Sequence, residues 1–180
     1  MSLRAKETLD AFFNKIITNK EIMDILKLPT ILETDSDETI RRKRKMAIDK
    51  VIVKTSQVPA DLAKEMPSIK IDGQEYKGFG KIRMGICFAQ SNKLNSDLFG
   101  NPQIDIDIFY DNTTEMDNTF ELISLISDLF SGQKLEVKVN DDISIIKDIK
   151  NEVITSQVSI INNYERIGMR FSFYATLYKN

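Results

Sequence analysis

The chain has no histidine and no tryptophan, a single cysteine and only seven glycines. Each scarcity closes off a class of chemistry. Serine–histidine and cysteine–histidine nucleophile systems need an imidazole base, and most catalytic zinc sites use imidazole ligands. One cysteine, Cys87, builds no disulfide framework and points to a reducing compartment. Its place inside a strand-like run reads as a small buried residue. No Walker A pattern and no GxGxxG is present. Gly78, Gly80 and Gly85 are too dispersed to cradle a phosphate, and no GK[ST] follows them. No stretch approaches the roughly 20 apolar residues of a membrane span, and Met1–Asp10 lacks the apolar block of a signal peptide. The expectation is a soluble protein made in a cytoplasm, with no membrane partner.

What is present is the composition of a globular protein. Of 180 residues, 42% are hydrophobic and 29% charged, enough for one domain with its own core. A domain of this size buries roughly 70% of its unfolded surface without needing disulfides or metals. The formal net charge of −2 sets up no global field towards nucleic acid or anionic membrane.

Periodicity divides the chain into an N-terminal helical segment (1–54), a connecting loop (55–80) and an α+β core (81–180), together one structural domain. Leu9, Phe12, Phe13, Ile16 and Ile17 follow the i, i+3, i+4, i+7, i+8 spacing of one helix face. Asn19 caps a second short helix with Ile22, Ile25 and Leu26 on its buried side, and Pro29 stops it. A third helix, about Glu38–Lys54, carries Ile40, Ala47, Ile48, Val51 and Ile52. These helices are expected to cover a sheet. Pro59, Pro67, Gly73, Gly78 and Gly80 punctuate the connection, with one helical turn at Ala60–Glu65 and an extended piece at Ser68–Ile71. A connection of this length is uncommon unless it moves or has a role.

The core begins with two alternating runs, Lys81–Gln90 and Gln103–Asp111. Ile82, Met84, Ile86 and Phe88 point one way, opposite Arg83, Gly85, Cys87 and Ala89. Ile104, Ile106, Ile108 and Tyr110 likewise oppose Asp105, Asp107 and Phe109. Ser91–Pro102 forms a long hairpin loop between them. The helix Asp117–Phe130 is expected to bury Phe120, Ile123, Ile126 and Phe130, flanked by Leu122, Leu125 and Leu129, with Gly132 at its C′ position. Extended runs at Glu152–Ile161 and Arg166–Lys179 close the chain. The last buries Phe171, Phe173, Ala175 and Leu177 and exposes Arg170, Ser172, Tyr174, Thr176 and Tyr178. The fold class is α+β, a small antiparallel sheet with one helix packed across it and an N-terminal helical segment.

Three groups of residues are candidates for function. Asp105 and Asp107 share a strand face about 7 Å apart. Paired carboxylates can bind a divalent cation or divide acid and base roles. A metal needs further oxygens, and Asp111, Asp141 and Asp142 are distant, so a polar face paired with Arg83 is the plainer reading. Arg41, Arg42, Lys43, Arg44 and Lys45 can neutralise several phosphates. Yet Asp37 and Glu38 stand upstream at helix-supporting spacing, and no aromatics interleave to stack bases. A solvated or protein-contacting helix face is the plainer reading of the run, contact with an acidic partner comes second, and nucleic-acid binding last. Phe109, Tyr174 and Tyr178 on the non-core side form an aromatic interface, or lie under the N-terminal helices. No catalytic residue, cofactor site or metal site is assigned from these residues, and an enzyme using carboxylates alone stays open.

The segments IDIDIFYDN (Ile104–Asn112), MDNTFELISLISDLF (Met116–Phe130), LEVKV (Leu135–Val139), VITSQVSII (Val153–Ile161) and RIGMRFSFYATLYK (Arg166–Lys179) succeed one another as strand, helix and three strands. In pattern and order, about Lys81–Lys179 resembles the tail-terminator or tail-completion proteins of long-tailed bacteriophages. The resemblance implies a structural virion protein without enzyme activity or cofactor, a homo-oligomeric ring, commonly a hexamer, at the head-proximal end of the tail. It implies as partners further copies of itself, the tail-tube protein and the head-connector or neck protein, with DNA passing through the lumen without specific binding. Localisation would be the virion tail or neck, after synthesis in the host cytoplasm. Asp105 and Asp107, if they lined the lumen, would repel DNA, and replacing both by lysine would leave folding intact. The long segment Met1–Lys54 departs from the family's shorter leading helix, which keeps another head–tail joining role open. The residues alone also admit a non-viral interaction module, such as an adaptor or chaperone, or a weak nucleic-acid binder through Arg41–Lys45.

Overall fold

In the computed structural model the described residues are 5–55, 57–89, 102–139 and 142–177. Tyr178 and all but the last residue of the loop expected at Ser91–Pro102 lie outside them. Helix α1 (Ala5–Ile17) buries Phe12, Phe13, Ile16 and Ile17, the face its spacing sets. Asn19 caps α2 (Lys20–Ile25), its Oδ1 accepting from the Ile22 amide at 3.0 Å. Ser36 caps α3 (Asp37–Lys43) by accepting from Thr39 N. The helix expected to continue to Lys54 instead passes through a π-helical turn, Arg44–Ile48, into the short α4 (Asp49–Val51). It then becomes strand β1 (Ile52–Val53). The wider π turn rotates the later residues so that Ala47, Ile48, Val51 and Ile52 all face the core.

The connection is more structured than its punctuation suggests. Strands β2 (Ile69–Ile71) and β3 (Gln74–Tyr76) pair across an Asp72–Gly73 turn in which both residues have positive φ, 51° and 83°. That is the backbone of a type I′ hairpin, for which Asp-Gly is a preferred pair.

Strands β4 (Ile82–Phe88), β5 (Gln103–Asp111), β6 (Leu135–Val139), β7 (Asp142–Ile161) and β8 (Tyr164–Leu177) complete the main sheet, in the order β1-β4-β5-β8-β7-β6. β1 runs parallel to β4 and every other pairing is antiparallel, so the sheet is mixed rather than purely antiparallel. The final strand inserts between β5 and β7, joined to β7 by the two-residue turn Asn162–Asn163. β7 starts ten residues before the run expected at Glu152, its first part pairing with β6 and with the end of β8, and four register shifts along its pairing with β8 absorb extra residues. Such bulges bend a strand and increase its twist. The sheet curls enough that α1 touches both β4 and the far-edge strand β6.

Helix α5 (Met116–Phe130) packs across the same concave side, and Gly132, at φ +71°, ends it in the left-handed C′ conformation. Phe12 stacks on Phe130 with ring centroids 4.5 Å apart, and Phe171 and Phe173 of β8 close around Phe12 at 6.2 and 5.8 Å. Ile126 and Phe130 face inward as expected, but the helix is rotated about its axis from the expected orientation. Thr119, Leu122, Ile126 and Phe130 are buried, whereas Phe120 is 48% exposed. Among the described residues no helix is long and apolar enough to cross a membrane.

Candidate interaction face

The side of the sheet away from the helices is assembled by strand register. Its rows read Cys87–Asp105–Arg170–Glu152, Gly85–Asp107–Gly168–Thr155 and Arg83–Phe109–Arg166–Val158 across β4, β5, β8 and β7. Because β8 lies beside β5, the partner of Asp105 is Arg170 and not Arg83. The Arg170 guanidinium donates to both carboxylate oxygens, at 2.7 and 2.9 Å. This two-point fork holds Arg170 in its charged form above the usual range for an arginine.

Asp107 is placed less comfortably. It is 8% exposed, and Arg166 Nε stands 4.0 Å from its Oδ1, beyond hydrogen-bond range. Burial pushes its carboxyl above the usual value, Arg166 pulls it down by less, and the Asp105 charge adds to the rise. A group raised in the folded state supports folding in its protonated form, completely so below its ordinary value. That support is lost as pH climbs through the raised value. Asp107→Asn should therefore raise Tm at pH 7 by roughly 1–4 °C, on the scale of about 2–4 °C per kcal/mol. The gain should vanish near pH 4, and a lower Tm for the variant at pH 7 would contradict the account.

The β4 half of this face is covered by the segment that follows β1. Arg83, 1% exposed, donates from Nε to Gly80 O at 3.2 Å, from Nη1 to the Asp61 carboxylate and from Nη2 to Asp61 O at 2.8 Å. Leu62 is buried beside this anchor. At Gly85 the chain passes so close that a Cβ would stand 2.6 Å from Thr55 O, so only glycine fits there. Phe109, expected either in an exposed aromatic patch or under the N-terminal helices, is wholly buried: its alternation is as read, and the segment after β1, not those helices, closes over it. Tyr174 is 53% exposed on the open half, where Val158 and Ile161 are also exposed.

The Asp105–Asp107 pair does not present free negative charge. Asp105 is neutralised by Arg170, and Asp107 is buried beside Arg166. Lysine at both positions would face these two arginines, so the expectation that folding would survive such a replacement does not stand. With its oxygens engaged by arginine, Asp105 is also unsuited to a cation, and among the described residues no three acidic or cysteine side chains converge as metal ligands.

The basic run does not form one patch. Lys43 is buried, donating to Thr30 O at 2.7 Å and to Asp35 at 2.6 Å, and this bond holds the Asp35 carboxyl below its usual range. Arg42 pairs with Asp72 at 3.3 Å. Arg44 bonds Asn14 and lies over the Phe13 ring, 5.4 Å from its centroid. Arg41 and Lys45 are exposed and, among the described residues, form no ion pair. The run is thus largely used within the protein.

The Asp61–Arg83 anchor and the pairing of the aspartates with Arg166 and Arg170 are not expected from the sequence. Alternation puts Arg83 on the correct side of its strand, and an arginine among apolar neighbours is the available signal. Asp61 carried none, because the path of the connection is not encoded in local spacing. In comparison with known proteins, no family model matches the chain and no curated protein matches it.

Proposed function

We propose that the protein is a structural ring subunit at the head-proximal end of a bacteriophage tail, a terminator or neck component joining tail tube to head connector. The observation that carries this reading is the order β5–α5–β6–β7–β8, in which a strand, a crossing helix and three strands close one curled sheet. That is the element order on which the likeness to tail-completion proteins rests. Two features of the molecule suit assembly. One face of the sheet is partly covered and partly open, with Tyr174, Val158 and Ile161 exposed, and α5 presents Met116 and Phe120 on a different side. Unlike surfaces on one subunit are what a head-to-tail cyclic contact requires.

In this reading DNA passes through the lumen without specific binding, the neighbours are the tail-tube and connector proteins, and the subunit performs no chemistry. The test is the DNA flanking the coding region. Genes for a portal or head connector on one side and a tail-tube protein on the other are the expected result. A metabolic or regulatory operon would overturn the proposal.

A further inference from the structure

The main sheet ends on one side at β6, the five residues LEVKV. Leu135 and Val137 are buried in the core, whereas Glu136 and Lys138 are exposed on the other face. Val139 pairs with Asp142, with only residues 140 and 141 between them. The closing pair of so tight a hairpin exchanges its hydrogen bonds, so Val139, and by alternation Val137 and Leu135, bond to β7. The backbone N–H and C=O groups of Glu136 and Lys138 are turned the other way, to the outside of the sheet. Among the described residues no backbone hydrogen bond meets them there.

A free strand edge accepts another strand, and the side chains on it decide which strand and in what register. Among the described residues neither Glu136 nor Lys138 has an ion pair. Their neighbours on β7 are apolar: Ile145 stands opposite Glu136 and Ile143 opposite Lys138, both half-buried. The two charges are therefore unanswered within the subunit, yet they answer each other between subunits. If a second β6 runs antiparallel about a twofold axis at Val137, Glu136 of each copy faces Lys138 of the other. Moving the axis back to Glu136 sets Glu136 against Glu136 and Lys138 against Lys134. Moving it on to Lys138 sets Lys138 against Lys138. Like charges directly opposite destabilise a strand pair, so one register is selected. In that register Lys134, exposed just before the strand, falls opposite position 140, an asparagine, and meets no like charge.

We propose that β6 pairs with β6 of a second copy, antiparallel about Val137, so that the sheet of one subunit continues into the other. The residues whose backbone groups point outward, Glu136 and Lys138, are the ones that this register makes hydrogen-bonded pairs. On the exposed face the row reads Ile145 and Glu136 of one copy, then Lys138 and Ile143 of the second. The backbone bonds supply the attraction and the charges fix the register. The contact is isologous and closes at two copies. It does not rest on the ring reading, since it uses neither the Tyr174 side of the sheet nor the exposed stripe of α5 offered to a head-to-tail neighbour.

Charge reversal in the full-length chain tests the assignment. Glu136→Lys and Lys138→Glu each turn both cross-strand pairs into like-charge pairs, and each alone should weaken dimerisation at least tenfold in sedimentation equilibrium at low salt. The double variant Glu136→Lys/Lys138→Glu restores opposite charges and should regain the dimer. An equal mixture of the two single variants should regain it as well, as a heterodimer. Hydrogen exchange gives a backbone readout: the amides of residues 136 and 138 should slow as wild-type concentration rises, and should not do so in either single variant. A wild type that remains monomeric at about 1 mM overturns the proposal. So does a dimer indifferent to the single reversals, or one that the double variant fails to restore. None of these failures touches the virion role, which flanking portal and tail-tube genes would support independently.

Discussion

Phe12→Ala should be the most damaging single truncation in the protein, lowering stability by about 3–5 kcal/mol. Phe12 is completely buried and meets three rings on two elements distant in sequence: Phe130 of α5 and Phe171 and Phe173 of β8. It is the point at which the N-terminal helix is fixed inside the curl of the sheet. Removing the ring loses its own transfer free energy and leaves a void bounded by three other rings, which cannot all move in at once. For a domain whose total stability is about 5–15 kcal/mol, that is a large fraction. Urea unfolding should show a much lower midpoint with the slope unchanged. Phe120→Ala is the internal control. Its side chain is half in solvent, so the same chemical change should cost within about 0.5 kcal/mol. Equal losses at the two positions would mean that the inward face of α5 has been wrongly identified.

That comparison also marks where sequence reasoning stops. The order of elements is readable because each has a clear period: α1 by its 3–4 spacing, β4 and β5 by strict alternation, and α5 by its C′ glycine. The rotation of α5 is not readable. Apolar residues at 120, 122, 123, 125, 126, 129 and 130 cover so much of the helix that two inward faces satisfy the pattern equally. The structure selects the one containing Thr119, a residue that hydropathy assigns outward.

Phe109 shows a different limit. Its side of β5 is correctly given by alternation, but whether that side meets water depends on residues 55–66, which reach it through the Asp61–Arg83 anchor. The ion pairs of the candidate face fail for a third reason. Asp105 meets Arg170 only because β8 lies between β5 and β7, and strand order is set by packing over the whole sheet. The bulges of β7 are equally non-local: a period of two cannot reveal an extra residue whose partner strand is unknown. Tyr174 was legible as exposed because nothing distant covers it.

The second large effect is expected at Asp61, a residue with no distinguishing mark in the sequence. Arg83 is an almost completely buried cation whose carboxylate partner is itself half in solvent. Asp61→Ala keeps the bonds from Arg83 to Gly80 O and to the backbone oxygen of residue 61, but removes the countercharge. Removing one partner of a buried pair costs about 3–5 kcal/mol, and hydration of Asp61 moves this case towards the lower end, about 3 kcal/mol. The penalty falls on the covering segment. Its hydrogen-bonded amides, those of Leu62 and Lys64, should exchange hydrogen about a hundredfold faster, the factor that roughly 3 kcal/mol corresponds to. Arg83→Met, which keeps the bulk and removes the buried charge, should change exchange far less, because the aspartate left behind is already hydrated. In the Arg83→Met background Asp61→Ala should then have little effect, giving a double-mutant cycle with most of its energy in the coupling. The pH dependence has the opposite sign to that of Asp107. The bond from Arg83 holds the Asp61 carboxyl below its usual value. Its contribution is therefore present above the ordinary carboxylate range, about 4, and is lost as pH falls through the lower folded value. Wild type and Asp61→Ala should converge in acid, while Asp107→Asn loses its advantage over wild type in the same direction. An exchange difference at Leu62 and Lys64 that stayed constant down to pH 2 would show that the countercharge is not what holds the cover in place.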